Sequence, residues 1–589
     1  MDTYFLPTPH AQLISGGPAS GKSTYIAQQA RTASCTGKDV LVVCADDRGA
    51  CHMQQLLGKE ACSATVLSIE ALLQRIIADE RTAEIAGRPL RVLDAIEEQI
   101  FFEDMRPSGI KQRRLKDLMG FLKRGWCEFA DDDPDWIMTL EEQAVVDLIA
   151  SNLAFTQGVL PEEVPGIAAR ALLASDALRS TFGAQCVFVD DYHLLCRASQ
   201  ACLCALAQEE ITVALSSIDA LPVAEQFIST TTVQDFMAAN PEAHTVELEG
   251  CHRPKAIVAA LNGLLRDIDT PELACAASVE TDGSVEATCV EGVVDEFRLI
   301  ASTILEAQRS GVDLCDIAVV ATNGVWRKNL MGALAQVGIA THSISTKRPK
   351  AAFCDKRFVA KQRAQVAQQL AANANDSLAW RRWLALDDAL ALSAPYGKLR
   401  SIAAPQGLTL AQALRLLDAD ELPGAQASDP IFTDLLASWR LGLEAIGRAT
   451  VTGTSESKQN AAASNSRNTT AAQAVSIGKP TDLFSREFDL VIFGGFMDGF
   501  IPSRDYFDIS GLVGEAKKRA HFADVHACVN CLTSARQRVV FTAFSSCSLE
   551  MAERLQLRIM HISNAGDERI CTVQQSELAS LIMLAWKTA

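Results

Sequence analysis

The segment Gln12–Ala30, which reads QLISGGPASGKSTYIAQQA, constrains the fold of this chain more than any other. It fits the pattern G-x-x-x-x-G-K-[ST] through Gly16, Gly21, Lys22 and Ser23. A short apolar run precedes the pattern and a helix-compatible run follows it, which is the context that the motif requires. Glycines let the backbone turn its N–H groups inward, and the positive end of the following helix faces the same point. The segment therefore predicts a strand, a loop and a helix that together wrap a polyphosphate.

This loop predicts roles for individual side chains. Lys22 is expected to reach the β- and γ-phosphates of a nucleotide, and the Ser23 hydroxyl is expected to ligate Mg²⁺. The residues predicted to contact the nucleotide are Gly16, Gly17, Ala19, Ser20, Gly21, Lys22, Ser23 and Thr24. The alternative is a glycine-rich turn that caps a helix and binds nothing, which the surrounding sequence disfavours.

Length and charge limit the class of protein. A chain of 589 residues is too long for one hydrophobic core, and its length predicts about three to five domains. With 48% hydrophobic and 21% charged residues, the chain is globular with ample core. Because the formal net charge is -18, any contact with nucleic acid must come from local basic patches.

Cysteine usage and hydropathy indicate the compartment. The 18 cysteines are scattered and often lie in apolar runs, which is typical of reduced, buried thiols in the cytosol. Cys528 and Cys531 form a single C-x-x-C without a second pair at metal-ligand spacing, so we assign them to the core. The N-terminus carries Asp2 and no basic leader, and no apolar run approaches the length of a membrane span. We expect a cytoplasmic protein without a membrane partner.

The order of apolar runs predicts an α/β fold. Strand-like runs at 39–47, 64–69 and 185–189 alternate with helix-like segments and short connections, which is typical of a parallel sheet. Residues 80–180 read instead as amphipathic helices, and we interpret them as a helical insertion.

Paired acids follow the strand-like run Cys186–Val189. A buried strand that ends in acids is the expected partner of a phosphate-binding loop, because Asp190 at its carboxyl end can hold Mg²⁺. Asp191 would then orient or deprotonate an attacking water. Taken alone, the pair could be a helix N-cap or an exposed strand end, but the upstream loop favours the metal site.

A basic segment in the helical insertion, KQRRLKDLMGFLKRGW, is a candidate DNA contact. Its cations would bind the phosphate backbone, and its tryptophan would stack on a base. A solvated helix face explains the charges equally well. The candidate DNA-binding residues are Lys111, Arg113, Arg114, Lys116, Lys123, Arg124 and Trp126.

Motifs in a fixed order give the chain a resemblance to the UvrD/Rep/PcrA family of superfamily 1 helicases. GGPASGKST is similar to the family's first motif, VLSIEALLQRI to the segment with its T-x-H-S, and VFVDDYHLL to its V-D-E-[FY]-Q-D. Residues 246–265 resemble the segment around N-Y-R-S, residues 486–505 resemble L-E-F-x-x-V-F-x-x-G-x-x-E-G-x-F-P, and residues 531–543 resemble V-G-x-T-R-A. The resemblance implies a P-loop NTPase with two RecA-like parallel-sheet domains, each carrying a helical insertion.

The resemblance also implies domain boundaries. Residues 1–79 and 181–250 would form the first RecA-like domain, and residues 80–180 its insertion. Residues 251–349 and 479–589 would form the second domain, with a second helical insertion at 350–451. The polar tract within 452–478 predicts a flexible linker.

Three further site residues are implied by alignment with the family's motifs. His252 stands where the family has a tyrosine that stacks on adenine. Arg253 aligns with an arginine that reaches the γ-phosphate from the second domain, and Glu487 aligns with an acid that touches the ribose. The implied ligands are therefore ATP and Mg²⁺, bound between two domains.

Several positions depart from the family. Asp191 replaces a longer glutamate, and Ser534 replaces a second arginine finger, with Arg536 two positions later. Asp219 and Pro222 stand where the family has a γ-phosphate-sensing glutamine and a base-stacking aromatic. Asp46 and Asp47 replace Thr and Asn that face the DNA backbone, which would repel phosphate. Because losing one arginine finger can cost about 10³ in rate, slow hydrolysis is expected.

The family implies ATP-driven translocation on DNA, or its unwinding, in repair or recombination. The implied partners are DNA with a single-stranded region and another subunit of a helicase or helicase–nuclease complex. The alternative is a degenerate helicase-like scaffold that binds ATP or DNA without unwinding, which Ser534, Asp219 and Pro222 favour. A phosphotransferase unrelated to DNA is a third class, which the family-like segments after Arg486 disfavour.

Overall fold

The fold is taken from a computed structural model of the chain. It describes residues 4–58, 63–106, 109–216, 227–229, 231–267, 275–345, 355–386, 393–452, 474–503, 514–565 and 568–588. Asp219 and Pro222, and most of the predicted linker, lie outside these residues.

The first α/β unit is built on a six-stranded parallel sheet. Its first part comprises β1 His10–Gly16, α1 Lys22–Cys35, β2 Val40–Cys44, α2 Asp47–Leu57, β3 Ala64–Ser68 and α3 Ile69–Ile77. The first helical insertion comprises α4 Glu80–Ala86, β4 Arg91–Val92, α5 Ala95–Met105, α6 Gln112–Glu128, α7 Leu140–Thr156, β5 Gly158–Val159, α8 Val164–Ala174 and α9 Asp176–Phe182. The chain then returns to the sheet with β6 Ala184–Val189, α10 Arg197–Leu206, β7 Ala207–Ser216, α11 Thr232–Ala239 and β8 His244–Leu248.

The strand order of this sheet is β3-β2-β6-β7-β1-β8, and every pairing is parallel. Side chains along β2 alternate between two cores: Val40 and Val42 pack with α1 and α2, whereas Leu41 and Val43 pack with α3, α8 and α10. A sheet buried on both faces needs such near-continuous apolar strands. The predicted parallel α/β architecture is confirmed.

The second α/β unit is built on a larger sheet. It begins with α12 Lys255–Asp267, β9 Ser284–Gly292, α13 Val293–Arg309, β10 Ile317–Val320, α14 Gly324–Gln336 and β11 Thr341–Ser343. The second helical insertion comprises α15 Lys356–Ala372, α16 Ser377–Ala385, α17 Ser393–Ala403, α18 Leu410–Asp418 and α19 Thr433–Thr452. The chain ends with β12 Val475–Gly478, β13 Phe488–Phe493, α20 Gly514–Ser534, β14 Ala535–Ser548, α21 Leu549–Leu555, β15 Ile559–Ala565, β16 Glu568–Val573 and α22 Glu577–Thr588.

The strands of this second sheet run in the order β11-β12-β10-β13-β14-β16-β15, with β9 also paired to β14. Strands β9 to β14 pair in parallel, and β16 joins β14 and β15 in antiparallel fashion. Strand β10 again divides its side chains between two cores, with Ile317 and Val319 on one face and Ala318 and Val320 on the other. Both faces of this sheet are therefore also covered.

One predicted boundary is wrong. The end of the segment expected to be a flexible linker, 452–478, forms β12, whose four residues are all buried between β10 and β11. Val475 and Ile477 join the core because the run VSIG alternates apolar and small residues after a long polar tract.

The expected burial of the C-x-x-C pair is confirmed. The tryptophans Trp380, Trp383 and Trp439 pack in the core of the second helical insertion. Cys528 and Cys531 are buried in the second unit's core, and all sixteen cysteines that the structure describes are free thiols. Among the described helices, none is long and apolar enough to cross a membrane.

Candidate nucleotide site

The predicted phosphate-binding loop lies between the end of β1 at Gly16 and the start of α1 at Lys22. Gly21 has φ +88°, in the left-handed region that favours glycine. A β-carbon on Gly16 would lie 2.5 Å from Ser20 Oγ and 2.8 Å from the Leu248 carbonyl oxygen. These two glycines are therefore required by the shape of the loop itself.

The Lys22 side chain is drawn into this loop. Its ammonium donates to the carbonyl oxygens of Gly17 at 2.7 Å and Gly16 at 3.1 Å, and the residue is buried. A buried cation ringed by loop backbone places positive charge at the point where the N-terminus of α1 also contributes its dipole. The loop is thus electrostatically suited to phosphate.

Asp190 lies at the carboxyl end of β6, directly beside Ser23. Burial raises the pKa of its carboxyl, and a hydrogen bond with the Ser23 side chain and the nearby Lys22 cation oppose that rise. Its Oδ1 atom is buried without a hydrogen-bond partner among the described residues. A hydroxyl and a carboxylate with a spare oxygen are ligands that Mg²⁺ prefers, so the residues present fit that ion.

The second acid, Asp191, lines the cleft next to this pair. Its backbone is left-handed, with φ +54°, where the chain turns from β6 into a short 3-10 turn at Tyr192–Leu194. The turn separates the two carboxylates, one buried under the loop and the other facing the cavity. The pair is thus not a helix N-cap of the kind considered from sequence, because Asp191 makes no side-chain capping hydrogen bond.

The opposite wall of the cleft comes from the second α/β unit. Arg253 Nε donates to the Thr533 carbonyl at 2.6 Å, and its guanidinium forms an ion pair with Glu487. The backbone N–H of His252 donates to the Ala19 carbonyl at 2.8 Å, which ties this wall to the phosphate-binding loop. The structure brings His252, Arg253 and Glu487 together, but the Glu487 carboxylate is engaged by arginine.

These two walls enclose a cavity of about 310 Å³, which is at the lower end of ordinary small-ligand pockets. All sequence-predicted nucleotide residues from Ala19 to Thr24 border it, together with Asp191, His252, Arg253 and Glu487. Its further lining residues are Pro18, His52, His193, Ser216, Phe484, Ser485, Arg486, His526, Val529, Asn530, Thr533 and Ser534.

Sequence reasoning predicted His252 but missed the other three histidines that line this cavity, His52, His193 and His526. His193 is buried, and desolvation, followed by the Lys22 and His526 charges, lowers its pKa well below the usual value. Burial also lowers the pKa of His526, which comes from α20 in the second unit. His193 follows the paired acids so closely that the sequence could have marked it. His526 and Arg486 have no local signal, since tertiary folding alone brings them here.

The residues that differ from the motifs of the resembled family have defined contacts in this structure. Ser534 is buried at the cavity wall, and its hydroxyl donates to the Leu483 carbonyl at 3.3 Å. Arg536 forms ion pairs with Asp316 and Asp489 and does not line the cavity, so it does not substitute for an arginine at position 534. Asp46 caps α2 by accepting from Gly49 N, and Asp47 accepts from Ser68 Oγ.

The predicted DNA patch is smaller than the sequence suggested. Trp126 is partly buried against the core of the first helical insertion, so only part of its ring is accessible for stacking. Arg114 is paired with Glu141, and Lys123 is paired with Glu98 and Glu162. The exposed candidates that form no ion pair with a described residue are Lys111, Arg113, Lys116 and Arg124.

No protein-family model matches the chain, and no curated protein shows significant similarity to it.

Proposed function

We propose that this chain binds and hydrolyses Mg-ATP between its two α/β units, in the manner of a UvrD-type DNA translocase. The observation that carries the proposal is one cavity lined by a cationic glycine loop, by the Ser23 hydroxyl that bonds to the buried Asp190, and by an arginine from the second unit. Each group is one that phosphoryl transfer needs: a phosphate cradle, metal ligands and a cation on the far side of the γ-phosphate.

In this proposal each residue has a defined task. The loop from Gly16 to Thr24 holds the β- and γ-phosphates, and Lys22 neutralises their charge. Ser23 and Asp190 hold Mg²⁺, which would supply charge neutralisation at the phosphate oxygens. Asp191, which faces the cavity, orients or deprotonates the attacking water, and Arg253 stabilises charge that develops on the γ-phosphate.

The proposed action on DNA is supported by the motif resemblance and by the exposed basic residues of α6. Arg113, Lys116 and Arg124 are exposed along α6 with spacings of three and eight residues, so they lie on one helix face. This surface suits the phosphate backbone of DNA in an otherwise acidic chain. DNA in repair or recombination is accordingly the proposed substrate.

A scaffold that binds nucleotide without turnover is the second candidate. Two observations favour it: Ser534 offers no cation to the cavity, and the Arg253 guanidinium is tied to Glu487 and Thr533. In such a protein ATP would fix the arrangement of the two units without driving movement.

Steady-state ATP hydrolysis with and without single-stranded DNA tests these candidates. We expect hydrolysis that DNA stimulates, and we expect Lys22→Ala to abolish it, since the loop loses its buried cation. Lys38→Ala is the matched control, because Lys38 follows α1 and pairs with Glu209 and Glu210 outside the cavity. If ATP binds in a Lys22-dependent manner but no turnover occurs with or without DNA, the translocase proposal is wrong and the scaffold stands. If neither variant alters binding or turnover, the site itself is wrong.

A further inference from the structure

Arg486 contributes a cation to the cavity wall. It belongs to the loop 484–487 that precedes β13, and it is partly buried. Among the residues that the structure describes, none accepts a hydrogen bond from its guanidinium or forms an ion pair with it. Burying a cation without a partner is unfavourable, so such a position indicates a site for an external anion.

The charges around Arg486 support this interpretation. Burial, and next the neighbouring Arg48 cation, lowers the pKa of the Arg486 guanidinium, while Asp482 and Asp46 act in the opposite direction. Both carboxylates are already engaged: Asp46 pairs with Arg48, and Asp482 accepts from Lys479 N and Ser345 Oγ. An arginine remains protonated at neutral pH, and no described carboxylate forms an ion pair with Arg486, so its guanidinium can donate to an anion that enters the cavity.

The position of Arg486 is fixed beside Ser534. The Leu483 carbonyl accepts from the backbone N–H of Arg486 at 2.9 Å and from Ser534 Oγ at 3.3 Å. The two residues therefore share one backbone anchor on the cavity wall. Arg486 thus brings a cation to the part of the wall where Ser534 has only a hydroxyl.

The same loop, 484–487, lies close to α2. Ser485 Oγ is 3.6 Å from the place of a β-carbon on Gly49, in the first turn of α2. His52, on this helix, also lines the cavity, and its charge acts on Asp190. The loop carrying Arg486 therefore packs beside α2, and His52 of α2 acts on the Asp190 carboxylate behind Ser23, near which the terminal phosphate is expected.

We propose that Arg486 binds the γ-phosphate of the nucleotide and is a second catalytic cation from the second α/β unit, beside Arg253. This inference rests on the proposed function. Its planar guanidinium can donate two parallel hydrogen bonds to phosphate oxygens, which gives strength and orientation that a hydroxyl cannot provide. As the γ-phosphoryl group departs, the same cation opposes the negative charge that develops on its oxygens.

Nucleotide affinity distinguishes this role from a structural one. We would measure, by titration calorimetry with Mg²⁺, the binding of ADP and of a non-hydrolysable ATP analogue to the full chain. For Arg486→Ala we expect about a tenfold or greater loss of affinity for the triphosphate and less than about a twofold change for ADP. Arg486→Lys should recover part of the loss, because lysine keeps the positive charge but cannot donate the two parallel hydrogen bonds of a guanidinium.

Arg536→Ala is the matched control, since it removes an arginine that lies outside the cavity, and it should leave both affinities unchanged. Thermal unfolding of each variant checks folding; if Arg486→Ala does not fold, Arg486→Gln serves in its place. Equal losses for ADP and the triphosphate, or no loss at all, would overturn the role of Arg486. Lys22→Ala separates the two proposals: if it abolishes binding while Arg486→Ala does not, nucleotide binding stands and only this inference fails. If the native chain binds neither nucleotide, both proposals fail.

Discussion

At the scale of single residues, Asp498 shows how burial sets the protonation of a carboxyl in this chain. It follows β13, its side chain is 3% exposed, and Arg558 Nη1 lies 3.2 Å from its Oδ2 atom. Its Oδ1 atom is buried without a hydrogen-bond partner among the described residues. Burial raises the pKa of Asp498 to about 6, against the opposing effect of Arg558.

This raised pKa predicts a pH dependence of stability. Between about pH 4 and pH 6 the folded chain retains the proton that an unfolded aspartate loses, so the free energy of unfolding falls as pH rises through that window. Asp498→Asn stays neutral and should remove this slope, with a gain on the order of 1 kcal/mol above pH 7. Denaturant unfolding at a series of pH values measures it, with Asp117→Asn on an exposed face of α6 as the control for charge alone. An unchanged slope in Asp498→Asn would contradict the prediction.

At the scale of elements, α2 shows why sequence predicts some site residues and not others. The loop before α1 was predicted because all of its chemistry lies in contiguous residues. Asp46 and Asp47 were interpreted as charges facing DNA, but Asp46 caps α2 and binds Arg48, and Asp47 accepts from Ser68. An aspartate that caps a helix and an aspartate that is only a surface charge look the same in a sequence. They can be distinguished only when the first residue of the helix is known.

Helix α6 makes a testable prediction about DNA. Arg113→Ala with Arg124→Ala should weaken binding of single-stranded DNA and make its dependence on log[salt] shallower by up to about 1.4 units, because up to two phosphate contacts are lost. The matched control, Arg106→Ala with Arg114→Ala, removes the same charge from two arginines that are already paired with Glu103 and Glu141. Fluorescence anisotropy at several salt concentrations measures both. Equal effects of the two double variants would show that net charge, and not this face, governs binding.

At the scale of the whole molecule, the alternation of apolar strands with helices predicted the α/β class, because burial on both sheet faces leaves a local signature. The contact between the two helical insertions has no such local signature in the sequence. Arg381 on α16 pairs with Asp104 on α5, although 277 positions separate them in the chain. Arg382–Asp94 and Arg91–Asp376 ion pairs join the same two insertions. Such ion pairs form only when segments that are distant in the chain fold together, so no local sequence pattern predicts them.

The Arg381–Asp104 pair should couple the stability of the two insertions. Both side chains are 2% exposed, Arg381 Nε lies 2.8 Å from Asp104 Oδ2, and the guanidinium lies over the Tyr396 ring at 4.4 Å. Arg381→Ala leaves a buried carboxylate without its counter-ion, which should lower the free energy of unfolding by about 3–5 kcal/mol. The buried tryptophans of the second insertion provide a fluorescence signal for denaturant unfolding.

Charge and lost packing can be separated by two further measurements. Burial already raises the pKa of Asp104 and Arg381 opposes that rise, so removing Arg381 should raise the pKa further. A buried carboxyl with a raised pKa destabilises the folded chain least when it is protonated. The loss of unfolding free energy in Arg381→Ala should therefore shrink as pH falls from 8 toward 5. Replacing both partners, Arg381→Met with Asp104→Leu, should recover most of the loss, because no charge is then buried alone. A deficit that is independent of pH and persists in the double variant would mean that packing of the guanidinium on Tyr396, and not charge, joins the insertions.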